Sequence, residues 1–267
     1  MTAPLGLVVY DGPSCLPGEA NNRIVAILTG VARPSGNGKV GDMLQLWILP
    51  AGENPWAAKA SGGDSAVCGT CPLRDGRCYV SLMRGPAEVW RAWQAGRYLD
   101  GQQLDAAGLA AAALARPGVR GIRFGAWGDP AALPIEVLAR LVDACHARRL
   151  VHAGYTHAWR EPSTAPYQRY LMASTEDEAG RLDALARGWR TFYVMPTDAP
   201  VPPDGARWCP AAPEGGASRT CATCGLCGGG ERGPSIAIRA HGNAVAASVW
   251  RARARQESGA EKIAPTA

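Results

Sequence analysis

The sequence predicts an α/β protein: a partial (β/α) barrel or an open parallel sheet, closed by a cysteine-rich C-terminal segment. Three observations carry that prediction. Apolar runs of strand length alternate with amphipathic helical runs between Val119 and Met195, and the joins between them are short. Gly and Pro, 33 and 21 of the 267 residues, punctuate the chain often enough to bound each run. Strand–helix–strand order with short joins calls for parallel pairing, because each crossover helix returns the chain to the same end of the sheet.

Residues 1–60 read as a β-containing entry segment, with strands expected at 24–29 and 43–49. The loop between them, 33–41, is polar and Gly-rich, but no Gly-Lys-Ser/Thr closes it, so it is not a phosphate loop. Residues 61–200 form the expected α/β core. A helix at 87–99 carries Val89, Trp90 and Trp93 on one face, and an Ala-rich helix at 105–115 stops before Pro117. A strand at 119–124 leads to a helix at 134–148, with Pro134 at its start and Arg148 and Arg149 at its end. Strands follow at 150–155 and 171–173. Thr175 and Glu178 read as a capping box opening a helix to Arg187, which Gly188 ends. A strand at 191–195 is stopped by Pro196. Residues 201–245 are the cysteine-rich metal-binding segment, with a last strand at 235–239, and 246–267 read as a flexible polar tail.

In such folds ligands bind at the carboxyl ends of the strands. Those ends carry Gly125 to Asp129, then Thr156 and His157, then Ser174 and Thr175, then Thr197 and Asp198. Thr156, His157, Ser174 and Asp198 are candidate substrate contacts by position, and Trp127 offers a face for stacking a purine. His152, inside a strand, reads as structural. His241, after the last strand, is a candidate cluster or substrate contact.

Composition sets outer bounds. With 47% hydrophobic and 19% charged residues the chain is globular in type. The net charge of +5 is a weak pointer to an anionic partner, because 25 of the 28 basic residues are Arg and they are scattered, as in a GC-rich genome. No run of 18 apolar residues exists, and no basic start precedes a long apolar stretch, so no membrane and a cytoplasmic location are expected.

The nine cysteines carry the chemistry. In a reducing compartment clustered cysteines read first as metal ligands. Cys68, Cys71 and Cys78 form one group; Cys221, Cys224 and Cys227 form a second, with Cys209 shortly before it. Two C-x2-C turns sharing a cysteine put three thiolates around a compact object, and that spacing suits a [4Fe–4S] cube with Cys209 as fourth ligand. Tetrahedral zinc on the same four thiolates is the alternative. The first group has only three cysteines. It reads either as a cube with one iron open to a ligand, or as a four-ligand site completed by a remote group such as Cys15, Cys209 or a His. Cys145 lies on the apolar stripe Leu138, Leu141, Val142, Cys145 and reads as core. Nothing in the sequence decides the role of Cys15.

A three-cysteine loop, then strand–helix units, then a cysteine-rich end resembles the radical S-adenosylmethionine enzymes that carry an auxiliary cluster. Gly125-Ala-Trp-Gly-Asp-Pro130 stands where those enzymes have a Gly-rich acidic motif that contacts the cofactor's amino group. More closely, residues 35–41, Leu46-Trp47-Ile48-Leu49, and the runs 68–79 and 221–229 resemble a family of phage and prophage proteins, over roughly residues 20–245. The resemblance implies a bacteriophage origin and a place in the host-cell cytoplasm. It further implies one or two [4Fe–4S] clusters, S-adenosylmethionine held by Gly125, Trp127, Gly128 and Asp129, and an external electron donor. The open iron would chelate the amino-acid part of the cofactor, one electron would cleave its S–C bond, and the resulting 5′-deoxyadenosyl radical would take a hydrogen atom from the substrate. A nucleotide, a nucleic-acid base or a protein side chain is the implied substrate. The sequence departs from that pattern in its C-x2-C-x6-C spacing, where C-x3-C-x2-C is usual. It also has Arg77 where an aromatic residue precedes the last cysteine, with Tyr79 following it instead, and Asp129 where Glu is usual. The competing reading is a zinc- or iron–sulfur-stapled, non-catalytic binding module in phage replication or host takeover.

Overall fold

A computed structural model describes residues 5–34, 36–76 and 78–241. The expected tail at 246–267 lies outside the described residues. The chain opens with three strands, β1 (Gly6–Pro13), β2 (Arg23–Thr29) and β3 (Leu44–Pro50). The sequence reading found the last two and missed β1, whose Leu-Val-Val-Tyr run is short and close to the chain start. β1 pairs antiparallel with β2, and β2 with β3. Every residue from Ile24 to Leu28 is buried, so both faces of β2 are covered.

Three helices follow: α1 (Pro55–Ser61), α2 (Ser65–Cys68) and α3 (Gly85–Gln94). Asn54 caps α1, its side-chain oxygen accepting from the Trp56 and Ala57 amides, and Pro55 supplies a preset first turn. α3 ends earlier than expected, and Leu99–Asp100 instead form a short strand, β4, parallel to β1. α4 (Ala106–Ala113) is capped by Asp105, and β5 (Gly121–Trp127) leads through a 3-10 turn at Pro130–Ala132 to α5 (Ile135–His146). On α5 the stripe Leu138, Leu141, Val142 and Cys145 is wholly buried against β5 and β6 (Val151–Ala153), as its helical spacing requires.

After Gly154 the chain re-enters a sheet as β7 (Tyr155–Thr156). Then come β8 (Met172–Thr175), α6 (Glu178–Ala186), β9 (Thr191–Met195), β10 (Ala206–Trp208), α7 (Cys221–Cys224) and β11 (Ser235–Arg239). The capping box expected from Thr175 and Glu178 does not form. Asp177 caps α6 instead, its carboxylate accepting from the Gly180 amide at 2.7 Å, while Thr175 is the buried end of β8 and Glu178 pairs with Arg181. A carboxylate two residues closer to the helix took the cap in place of the hydroxyl.

The strands make two sheets. One has six strands in the order β4-β1-β2-β3-β5-β6, mixed because the short links among β1, β2 and β3 permit antiparallel return; the other has five, all parallel, ordered β10-β11-β9-β8-β7. The strand expected at 150–155 therefore serves both sheets, its first half pairing with β5 and its second with β8, with Gly154 at the change-over. The entry strands share a sheet with the α/β region through the parallel β3–β5 pair, and the cysteine-rich segment joins it through β11 on β9.

A Cβ on Gly154 would stand 2.7 Å from Leu171 Cδ2 and 2.9 Å from Phe124 Cβ, both in the core. Gly154→Ala is expected to lose about 1–3 kcal/mol of stability through overpacking, measured by urea unfolding. Gly52→Ala, with open space around its Cβ position, serves as the comparison and changes little.

Candidate functional site

The parallel strands present alternate residues to one cavity. Arg123, Gly125 and Trp127 of β5, Tyr155 of β7, Ser174 of β8, Phe192 and Val194 of β9 and Ile238 of β11 all line it, at the period of two that a strand imposes. Ile122 and Phe124 on the other face of β5 join the core. The cavity holds about 410 Å³, within the usual range for a small-molecule site, and its wall is mostly apolar.

Cys68, Cys71 and Cys78 all line this cavity. Their wide spacing is absorbed by a turn. α2 ends at Cys68, Gly69 takes a positive φ of 51°, and the Cys71 amide donates back to the Cys68 carbonyl at 3.0 Å. Pro72–Asp75 then make one 3-10 turn, Gly76 reverses the chain at φ 104°, and the Cys78 amide donates to the Leu73 carbonyl at 2.9 Å. The third thiol is thereby folded back toward the first two. Arg74 braces the loop from outside, bonding the Gly69 carbonyl at 2.9 Å and the buried Asp64 carboxylate. Burial holds the Cys68 thiol well above its usual range, reinforced by Cys71, Asp64 and Cys78 nearby. Binding a metal here therefore means displacing a tightly held proton.

The Gly125–Asp129 segment is fastened to that loop by the Asp129 amide, which donates to the Val67 carbonyl at 2.6 Å. Gly128 has φ 84°, and a Cβ there would meet the Ile48 carbonyl oxygen at 2.5 Å, so the turn requires glycine twice over. The Asp129 carboxylate accepts from the Ala131 amide at 2.9 Å and the His157 amide at 2.7 Å. It is 6% exposed, and burial raises its pKa. The Thr156 side chain bonds the carboxylate as well, so the chain engages both oxygens and leaves about one acceptor position over.

His157 and Ser174 meet at the cavity through Glu176, which the sequence reading did not single out. His157 Nε2 donates to Glu176 Oε1 at 2.8 Å, Ser174 Oγ donates to the same oxygen at 3.2 Å, and the His157 ring also bonds Cys71. Burial pulls His157 down, but Cys71 and the Glu176 carboxylate outweigh it and hold the ring well above the ordinary histidine range. Thr156 and Asp198 are not part of the cavity wall. Thr156 accepts from the Ala158 amide at 3.0 Å as a turn cap, and Asp198 is exposed beyond the end of β9.

No family model, curated protein or solved structure matches the chain. The site is therefore read from its own geometry.

Cys209, Cys221, Cys224 and Cys227 converge around a second space of about 20 Å³, so Cys209 belongs with the C-terminal group rather than the first. Cys15 joins neither: it is exposed, its amide on the Ala132 carbonyl at 2.9 Å. α7 carries Cys221 and Cys224 behind a capping box of Thr220 and Thr223, and Gly225 turns the chain with φ 67°. The Cys221 amide donates to the Lys39 carbonyl at 3.1 Å, and the Gly154 amide to the Cys227 carbonyl at 3.1 Å. Burial raises Cys227 to about 12, the Tyr155 hydroxyl that bonds it opposing the shift. Tyr155, Cys209 and Cys221 face both spaces, so the second group abuts the large cavity. Among the described residues no three His, Cys, Asp or Glu side chains are placed as ligands of a single metal ion.

His152 is structural: Nε2 donates to the Gly228 carbonyl at 2.7 Å and the ring packs on Phe124. Arg123, Tyr155, Lys39 and Glu176 line or support the cavity without having been singled out. Arg123 sits within its strand and not at the end, where the sequence reading looked, and Tyr155 stands one residue before the nominated Thr156. The signal for Arg123 was present in the alternation Arg123, Gly125, Trp127, which places a charge on the face that also carries the Gly-rich turn.

Arg190 clamps the second cysteine loop, reaching the carbonyls of Leu226 at 2.6 Å, Gly229 at 2.9 Å and Pro234 at 2.7 Å. Arg190→Gln leaves those carbonyls short of donors. The expected loss is about 2–3 kcal/mol by denaturant unfolding, with hydrogen exchange quickened at residues 226–234.

Proposed function

We propose that the chain is a phage-encoded iron–sulfur protein acting as a radical S-adenosylmethionine-like enzyme on a nucleotide, a nucleic acid or a protein side chain. Cys68, Cys71 and Cys78 would hold a centre with one open position, and Cys209, Cys221, Cys224 and Cys227 would hold a second, closed one. The observation that carries this reading is the meeting of Cys68, Cys71 and Cys78 with the Gly125–Asp129 turn on one cavity, which Cys209 and Cys221 of the second group also reach. A merely stapled binding module gives no reason for a three-thiol loop to open into a cavity at all. The donor sets fit: three and four cysteines, all in intermediate or buried surroundings and none in a disulfide. The two sheets are read here as arcs of a partial barrel, because the strand through Gly154 belongs to both.

When bound, a reduced centre of this kind supplies the one electron that cleaves the S–C bond of S-adenosylmethionine, which is how such enzymes begin hydrogen-atom abstraction. The chain's own residues do the rest. Asp129 offers its remaining acceptor position to an ammonium group, with two amide bonds and the Thr156 side chain fixing the direction of the carboxylate. Trp127, buried in the wall, offers a flat apolar surface to an adenine. The apolar side chains of Phe192, Val194 and Ile238 keep water from the space where a reactive intermediate would stand. His157, locked by Glu176, holds a proton beside the first thiol loop.

Protein purified without oxygen is expected to hold about eight irons per chain with matching sulfide, and its reduced EPR spectrum is expected to change on adding S-adenosylmethionine. Replacing Cys68, Cys71 and Cys78 together by Ser should leave about four irons and a spectrum indifferent to S-adenosylmethionine. Zinc in place of iron, or a wild-type spectrum unmoved by S-adenosylmethionine, would return the protein to the binding-module reading.

A further inference from the structure

One side of the cavity carries a connected group of donors that the metal-binding reading leaves unused. His241 Nδ1 donates to the Arg239 carbonyl at 3.0 Å, which fixes the tautomer and leaves Nε2 to accept from the Lys39 ammonium at 3.4 Å. The Tyr79 ring stacks on His241 with centroids 5.7 Å apart, and its hydroxyl accepts from Arg123 Nη2 at 2.8 Å. Lys39, His241, Tyr79 and Arg123 thus form one chain of contacts, and all four line the large cavity.

Two of these are full positive charges. Among the described residues neither Lys39 nor Arg123 makes an ion pair with a carboxylate. Glu214 acts on Lys39 only from a distance, with Oε1 already accepting from the Arg239 amide. Cations that are half-buried at a mostly apolar wall without a paired carboxylate favour an anion beside them. The second thiol group supplies part of that charge when metallated, since Cys221 lies near both cations. Yet Lys39 and Arg123 line the large cavity and not the small space enclosed by the four thiols, so their remaining donors face the ligand side.

We propose that Lys39, Arg123 and the Tyr79 hydroxyl bind the phosphate group of a small phosphorylated substrate such as a mononucleotide. Donors from three separate segments suit a tetrahedral oxyanion with three free oxygens, whereas a planar carboxylate is served by one guanidinium fork. The apolar part of the wall, with Phe192, Val194 and Ile238, suits the uncharged body of such a ligand. The proposal rests on the reading of this cavity as a substrate site and narrows its substrate to a phosphate ester.

The test is a titration of the full chain with inorganic phosphate, followed by 31P line broadening, with acetate as competitor. Saturable binding is expected, displaced by sulfate but not by equal acetate. Lys39→Met and Arg123→Met should each weaken it about tenfold or more, the worth of one charge-assisted hydrogen bond, while Arg123→Lys recovers part of the loss. Arg97→Gln, at an exposed arginine, should leave it unchanged. Circular dichroism confirms that each variant is folded. Absence of saturable binding, equal competition by acetate, or binding undiminished in both Met variants overturns the proposal. Iron content and the S-adenosylmethionine-dependent spectrum, read on the same samples, separate the two ideas. Protein that answers S-adenosylmethionine but ignores phosphate overturns the phosphate site alone, and zinc-loaded protein that binds phosphate overturns only the enzyme.

Discussion

The strand through Gly154 is the constraint on which the arrangement depends. Its first three residues complete one sheet and its last two begin the other, so the backbone at Gly154 must serve both at once. The amide donates to Cys227 and the carbonyl accepts from Met172, which ties the second thiol group to the junction of the sheets. Phe124 and Leu171 close over the position where a side chain would begin. The change from one sheet to the other is thus made at a residue without a Cβ, where the core leaves no room for a side chain.

Much of this was legible in the sequence because the relevant physics is local. The helix α5 follows from the 3.6-residue spacing of its apolar stripe, and β2, β3 and β9 from apolar runs ended by Gly or Pro. The two cysteine groups were visible from spacing, as was the turn Gly125–Asp129. What was not legible is long-range. That Cys209 sides with the C-terminal group depends on β10 lying beside β11, and β11 on β9, a fact of sheet order and not of spacing. Likewise Asp177 took the cap from Thr175 because Thr175 was needed as the last buried residue of β8.

The candidate site shows the same division. His157 and Ser174 were nominated as strand-end residues, and the cavity receives both; Thr156 and Asp198 were nominated on the same ground and face elsewhere. Position at a strand end fixes the rim but not the direction of a side chain, which the pleat and the following turn decide. Glu176 was invisible to that logic because it stands past the strand, yet it fixes both His157 and Ser174 through a single oxygen. Arg123 was invisible for the opposite reason, standing mid-strand where a charge ordinarily signals a solvated face.

The backbone bonds from Cys221 and Ala222 to the carbonyls of Lys39 and Val40 have a consequence for biogenesis. The second thiol group is assembled on a loop far earlier in the sequence, so its walls do not exist until both segments have been made. The earlier strands must wait, paired with one another, for a segment that emerges later. The group of thiols thereby joins an early and a late segment of the sequence in one structural unit.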